Sequence, residues 1–457
     1  MVVNDSLKSS DLNSKLKKFW EISAQKIDLI DKNYDSQKGS PVFTVDGKYT
    51  TRGWTEWTQG FLYGSMILQF DATGENSFLE KGRKNVVEVM APHVSHVGVH
   101  DHGFNNVSTY GNLLRLINEG KIEAGEWERN FYAIALKLSG AVQASRWTNF
   151  KDGGFIYSFN GAHSLFVDTI RSCRSLILSH SLGHVLQAEG DKKINLLTRA
   201  IQHLKATADY SIFYGEGRDI YDTRGRTAHE SIFNVIDGNF RCPNSQQGYS
   251  GFTTWTRGLA WAMCGFAEQL EWFETIDDPA LGTSSEKEIV LSWMLKAAKA
   301  TCDFYIENTP INGIPFWDTG APGLQQIENY LEKPADPYNS FEPLDSSAAA
   351  IASQGLLRLG NYLKRKGDES ANRYWQAGLT VCNTLFDNPY LSTDSNHQGL
   401  ILHSIYHRPN GWDYIPKGSQ IPNGESSMWG DYHAREVAVY LQRMINNETY
   451  HTFFNIQ

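Results

Sequence analysis

The sequence predicts an all-α protein built as an (α/α)6 barrel, a closed ring of six helical hairpins, and three observations carry that expectation. About twelve segments repeat apolar residues at steps of three and four, near 11–32, 55–71, 76–92, 106–119, 124–145, 163–189, 193–212, 252–274, 284–308, 345–366, 368–386 and 430–446. Strand-like alternation is sparse; its clearest instance is "SIFNVIDGNF", where Asp237 and Gly238 read as a tight hairpin turn. No short consensus recurs at a fixed period, as it would in a superhelical array, so a closed ring is the expected arrangement.

One segment illustrates the pattern. In "DSSAAAIASQGLLRLGNYL", Asp345 reads as an N-cap, and Ala348, Ile351, Gly355, Leu359 and Tyr362 recur on one face. The small residues Ala349, Ala350, Ala352 and Gly355 imply a helix packed closely on several sides. Gly60 and Gly64, then Gly258 and Ala260, imply the same in other segments. Two stretches rich in Pro, Gly and Asp, 309–343 and 409–427, read as structured loops. The expectation is a single catalytic domain over 1–457, with a short flexible N-terminal lead of about ten residues.

Composition narrows the function. Hydrophobic residues are 41% and charged residues 20% of the 457, which is ample for a core, and the longest apolar runs are too short to span a bilayer. A net charge of -9 without any Lys/Arg cluster argues against nucleic acid or an anionic membrane as partner. Five cysteines, at 173, 242, 264, 302 and 382, show no CxxC spacing and read as buried thiols. The opening "MVVNDSLKSSDLNSKLKKFW" lacks the apolar core of a signal peptide, so the expected location is cytoplasmic or periplasmic, as monomer or dimer.

In a ring of hairpins, loops at one end converge, so distant polar residues can share a pocket. Trp57, Asp101, Asp168, His229, Arg257, Asp345 and Asp431 fall at or near the starts of helical segments. The first four are separated by 44, 67 and 61 residues, about one per hairpin. Asp168, beside Leu165, Phe166, Val167 and Ile170, is expected to be desolvated and raised toward neutrality, as a proton donor must be; the competing reading is that it only caps the following helix. Asp101 has polar neighbours and is expected to stay ionised, giving two carboxylates with divergent environments. The "HDH" around it suggests a metal, but His100 and His102 at i and i+2 point apart, with no further ligand set in the sequence. GxSxG, GxGxxG and Walker motifs are absent. In "GYSGFTTWTRGLAW", Arg257 among Tyr249, Trp255 and Trp261 suits a carboxylate held against sugar-stacking rings, or equally a helix start with core tryptophans.

Taken in series, "WTQGFLYGSMIL", "HDHGF", "FVDTIRS", "QGYSGFTTWTRGLAWAMCGFA", "DSSAAAIASQGLLRL", "GLILHSIYHRPNG" and "ESSMWGDYHAREVAV" resemble glycoside hydrolase family 88, the unsaturated glucuronyl hydrolases, from about residue 54 to 441. The resemblance implies an (α/α)6 barrel that acts without metal or organic cofactor. Its substrate would be an unsaturated uronyl oligosaccharide derived from a glycosaminoglycan, ulvan or similar polysaccharide. The reaction it implies is hydration of the C4=C5 vinyl ether of a terminal 4,5-unsaturated uronic acid. By motif, Asp168 matches the acid/base and Asp101 the second aspartate. His229, Gln247, Trp255, Arg257 and Trp261 match pocket positions, Arg257 facing the uronate carboxylate. Trp57 matches an aromatic wall, and His100 precedes Asp101 as in the family.

Two departures stand out. Phe159 occupies a place where tryptophan is expected, and "WDYIPKGSQIPNGESSM" replaces a small insertion, so Lys417, Ser419 and Gln420 offer either a sulfate contact or a solvated loop. An unsaturated rhamnogalacturonyl hydrolase shares the fold and chemistry. A sugar epimerase or a carbohydrate-binding protein without activity is the alternative of another class; Asp101 and Asp168 beside Arg257 favour the hydrolase.

Overall fold

The computed structural model describes residues 1–53 and 56–449. Trp54, Thr55 and residues 450–457 lie outside it, and with them the first residue of the segment predicted at 55–71 and the end of the single-domain span.

The predicted segments are helices. They are α1 (Asn13–Asn33), α2 (Gln59–Thr73), α3 (Asn76–Val89), and α4 over 102–118, which joins His102–Asn106 and Asn112–Asn118 through a π-helical turn at Val107–Gly111. Next come α5 (Glu126–Ser145), α6 (Thr169–Ser181), α7 (Leu196–Ala206) and α8 (Thr256–Thr275). The last are α9 (Ser284–Glu307), α10 (Ser346–Arg365), α11 (Ala371–Leu385) and α12 (Met428–Ile445).

The even-numbered helices form the inner ring. α2 packs on α4, α4 on α6, α6 on α8, α8 on α10, α10 on α12, and α12 returns to α2. The odd-numbered helices lie outside them, α5 and α7 against α6, α9 against α8, α11 against α10. The (α/α)6 ring expected from sequence is therefore the observed architecture. Inner helices have no solvent face: α8 is buried from Thr256 to Phe273 and α10 from Ser346 to Gly360. That is why they read as apolar and small on every side, whereas outer α3 buries one stripe, Phe78, Leu79, Gly82 and Val86. The inner crossings are tight; a Cβ on Gly60 would sit 2.3 Å from the Asn105 carbonyl oxygen of α4.

Ion pairs are buried inside this ring. Arg171 of α6 meets Glu268 of α8 at 2.8 Å and Glu436 of α12 at 2.7 Å. Asp71 of α2 meets Arg115 of α4 at 2.8 Å and Arg443 of α12 at 2.7 Å. Such pairs cost solvation, but once made they penalise any rearrangement that separates their partners.

Three expectations are corrected. The segment read as helix from residue 163 begins with a strand, Ser164–Phe166, which pairs antiparallel with Glu230–Phe233; periodicity along one segment does not report pairing with a partner some 70 residues away. That partner pairs in turn with Phe240–Asn244, and Gly238 adopts φ 70° in the predicted hairpin turn. The N-terminal lead is tied down, with Val2 N donating to Ile311 O at 3.1 Å and Asn4 N to Thr380 Oγ1 at 3.0 Å. Four cysteines are buried thiols, but Cys242 is exposed on the outer hairpin strand. Among the described residues no helix is long and apolar enough to cross a membrane.

Candidate active site

The chain entries into the inner helices converge on a cavity of about 540 Å³. Trp57 before α2, Asp101 before α4, Asp168 before α6, and Trp255, Arg257 and Trp261 at the start of α8 all line it. Trp57 stacks on Trp429 from the first turn of α12, with centroids 5.1 Å apart and planes 28° apart. The walls are thus rich in aromatic faces.

Asp101 and Asp168 occupy N-cap positions, yet neither side chain caps its helix. Asp345, at the same position of α10, does cap, accepting from Ser347 N at 3.1 Å and Ala348 N at 3.4 Å. The contrast decides the capping alternative for Asp168, whose buried Oδ1 has no hydrogen-bond partner among the described residues. His100 lies between the two carboxylates, its Nε2 3.7 Å from Asp101 and 3.8 Å from Asp168. One donor atom from each of the three groups lies within 4.8 Å of the others, and no other such trio of His, Cys, Asp or Glu occurs among the described residues. One imidazole and two carboxylates are one ligand short of the closed tetrahedral shell of a structural zinc. His102 turns away, with Nδ1 3.0 Å from Ser139 Oγ and Nε2 2.9 Å from His96 O.

The protonation order is the reverse of the expected one. Burial is the largest influence on Asp168 and pushes it up as the apolar flank suggested, but the opposing contributions, led by His100, together hold the carboxyl below its ordinary value. Asp101 is raised, by burial first and then by the Asp168 charge, against the pull of His100. His100 is itself raised: burial works against the imidazolium, and the charges of Asp101 and Asp168 overcome it.

The relative placement of the two aspartates is set by a contact between α4 and α6. Gly103 N donates to Ser172 Oγ at 3.3 Å, and Arg174 NH2 donates to Gly103 O at 2.8 Å. A Cβ on Gly103 would lie 2.4 Å from Ser172 Cα, so only glycine allows this approach.

Two sequence-assigned residues are placed differently. Arg257 lines the cavity, but its guanidinium is already engaged. NH1 binds Asp345 at 2.7 Å and the Ile405 carbonyl; NH2 donates to Tyr406 O at 2.7 Å and Gln247 Oε1 at 3.0 Å. It therefore fixes the 405–406 loop and the Gln247 amide, and is not a free cation awaiting a carboxylate. His229 is 1% exposed and stands behind the wall, its Nδ1 accepting from Gln246 N at 2.9 Å and Gln247 N at 3.3 Å. Burial lowers it to about 3, so it is a neutral support for that turn. Asp431 is likewise structural, accepting from Leu400 N and Ile401 N at 2.8 Å each.

Tyr406, His407, Asn410 and Trp412 also line the cavity, as do Phe159, Asn160 and Gln246. Sequence reasoning assigns no role to any of these but Phe159, although "YHRPNGW" at 406–412 carries a signal for the first four. Phe159 stacks on His100, with centroids 5.4 Å apart and planes 22° apart.

No protein-family profile matches the chain. It is similar to the unsaturated glucuronyl hydrolase of Formosa agariphila, 25% identical over 399 residues that cover 85% of this chain and 81% of the relative. Similarity to the unsaturated glucuronyl hydrolase of Bacillus sp. (strain GL1) is also 25%, covering 88% and 90%. Among solved structures, the unsaturated glucuronyl hydrolase of Streptococcus agalactiae superposes with a TM-score of 0.71 at 19% identity, covering 98% of this chain and 94% of that one. Fold and site define an (α/α)6 barrel with a pocket that holds two carboxylates and a histidine at the mouth of its inner ring. Within that class the chain is similar to the unsaturated glucuronyl hydrolases over most of its length, as its motifs implied.

Proposed function

We propose that the protein is a glycosidase that removes 4,5-unsaturated uronic acid from the non-reducing end of lyase-generated oligosaccharides by hydrating the C4=C5 vinyl ether. The carrying observation is the uncapped pair Asp101 and Asp168, brought together by His100 inside an aromatic cavity. In this reading Asp168 delivers a proton to C4, and positive charge develops across C5 and the ring oxygen. Water adds at C5 and returns its proton to Asp168. The resulting hemiketal opens and frees the neighbouring sugar. Asp101 holds substrate hydroxyls and supports the developing charge. Trp57, Trp255, Trp261 and Trp412 supply the stacking faces, and Gln247, oriented by Arg257, supplies an amide. The scheme needs no metal or organic cofactor, and a net charge of -9 without a Lys/Arg cluster disfavours nucleic acid or an anionic membrane surface as partner.

Support for a single catalytic domain comes from one hydrophobic cluster that runs from Leu12 to Leu441. One relative, from Streptococcus agalactiae, is named an unsaturated chondroitin disaccharide hydrolase, and one solved structure is described as specific for heparin. The test is a panel of glycosaminoglycan-, heparin-, ulvan- and pectin-type unsaturated disaccharides. Hydration destroys the conjugated double bond, so ultraviolet absorbance should fall, and Asp168→Asn should lose most of the rate, about 10²–10⁴-fold. A wild type that leaves the whole panel unchanged overturns the proposal.

A further inference from the structure

His100 does more than line the pocket. Its side chain is 1% exposed, with Phe159 stacked on its ring and the edge of Phe166 at 5.6 Å. Its Nε2 is almost equidistant from the two carboxylates, and its buried Nδ1 has no partner among the described residues. A ring enclosed in this way has little left to offer a sugar hydroxyl, but it sits where a proton can pass to Asp168.

We infer that His100 is a positioning residue that holds the reaction's proton in the empty pocket and hands it to Asp168 when substrate enters; this rests on the hydration reading proposed above. In the empty pocket the proton lies on Nε2 and Asp168 is a carboxylate. An entering sugar displaces water from the cavity, which penalises the charged pair relative to the neutral one. The unpartnered Nδ1 adds to that penalty, since an imidazolium needs acceptors at both nitrogens. The Nε2–H bond breaks and an O–H bond forms on Asp168, leaving neutral imidazole and carboxylic acid with the total charge unchanged. Asp168 then gives that proton to C4, recovers one from the water that adds at C5, and passes it back to Nε2 when the product leaves. This order reconciles a carboxyl that is depressed in the free protein with its duty as an acid.

The groups around His100 agree with this role. Asp101 and Asp168 attract the proton to the ring, and the fixed charge of Arg146, bound to the carbonyls of Val97, Tyr157 and Ser158, opposes it. His203 and His229, each lowered to about 3 by burial, are neutral and do not compete.

The test has two readouts. NMR of histidine-labelled protein without substrate should show His100 titrating above its ordinary value of about 6.5, and falling below it in Asp168→Asn. With the most active member of the disaccharide panel, His100→Asn should lower kcat about 10²-fold with KM nearly unchanged, and should alter the alkaline limb of the kcat profile. A His100 titration that ignores Asp168 overturns the inference, whatever the fate of the hydrolase reading. So does a folded His100→Asn variant that keeps kcat and loses only KM, since that marks a sugar contact. The NMR comparison stands alone if His100→Asn fails to fold.

Discussion

Replacing Gly103 with alanine tests how finely the two aspartates are placed. The new Cβ would fall 2.4 Å from Ser172 Cα and 2.9 Å from Arg171 O, both backbone atoms of α6 that have no rotamer to yield. Ordinary contact between such atoms is about 3.5–4.0 Å, so α4 and α6 must part by roughly 1 Å. Overpacking of this kind costs about 1–3 kcal/mol, which urea denaturation would read as a lower midpoint at unchanged slope. The functional cost is expected to be larger, because Asp101 and Asp168 are carried by the two elements forced apart. A displacement of about 1 Å at reacting groups costs on the order of 10²-fold in rate. The assay is loss of ultraviolet absorbance under saturating disaccharide, read beside Ser172→Ala, which removes only a 3.3 Å hydrogen bond and should cost far less. A folded Gly103→Ala protein with kcat within twofold of wild type would refute the idea that this contact sets the carboxylate geometry.

Two further expectations concern stability. Arg171→Met leaves buried Glu268 and Glu436 only the longer contacts to Arg174, at 3.8 and 3.7 Å, and should cost about 3 kcal/mol in equilibrium unfolding; a loss below 1 kcal/mol would show that Arg174 alone balances the two acids. Asp318 is fully buried, and burial raises it from 3.8 to about 6, against the pull of the amides of Tyr249 and Gly320. Its folded-state value exceeds its unfolded one, so stability falls as pH rises from about 4 to 6, by roughly 3 kcal/mol. Asn does not titrate, so the stability of Asp318→Asn relative to wild type should improve by that amount between pH 4 and pH 7. A flat difference would contradict the assignment.

Most of the fold was legible because helices announce themselves locally. α10 could be read from its N-cap, its apolar recurrence and its small residues, all within twenty positions. The strand Ser164–Phe166 could not, since its stability comes from Glu230–Phe233. The site divides the same way. Asp101 and Asp168 were visible as acids at helix starts, but their protonation order was not, because it depends on a histidine adjacent to one and distant in sequence from the other. The apolar flank of Asp168 gave the correct sign for burial and missed the opposing contributions, led by His100, that together exceed it. Arg257 appeared to be a free cation for a related reason; what occupies it are Asp345 and the carbonyls of Ile405 and Tyr406, more than eighty residues away.

The stack of Trp57 on Trp429, together with the bond from Ser426 N to Thr44 Oγ1, has a temporal side. The bonded residues are 382 positions apart, so during synthesis at about 5–20 residues per second the early half of the wall waits roughly 20–75 s for the late half. Through that interval α2 exposes the apolar surface that α12 will cover, and the nascent chain is a sticky, open arc without a pocket. The ring cannot close until α12 has been synthesised, so the last-made helix completes both the barrel and the pocket wall.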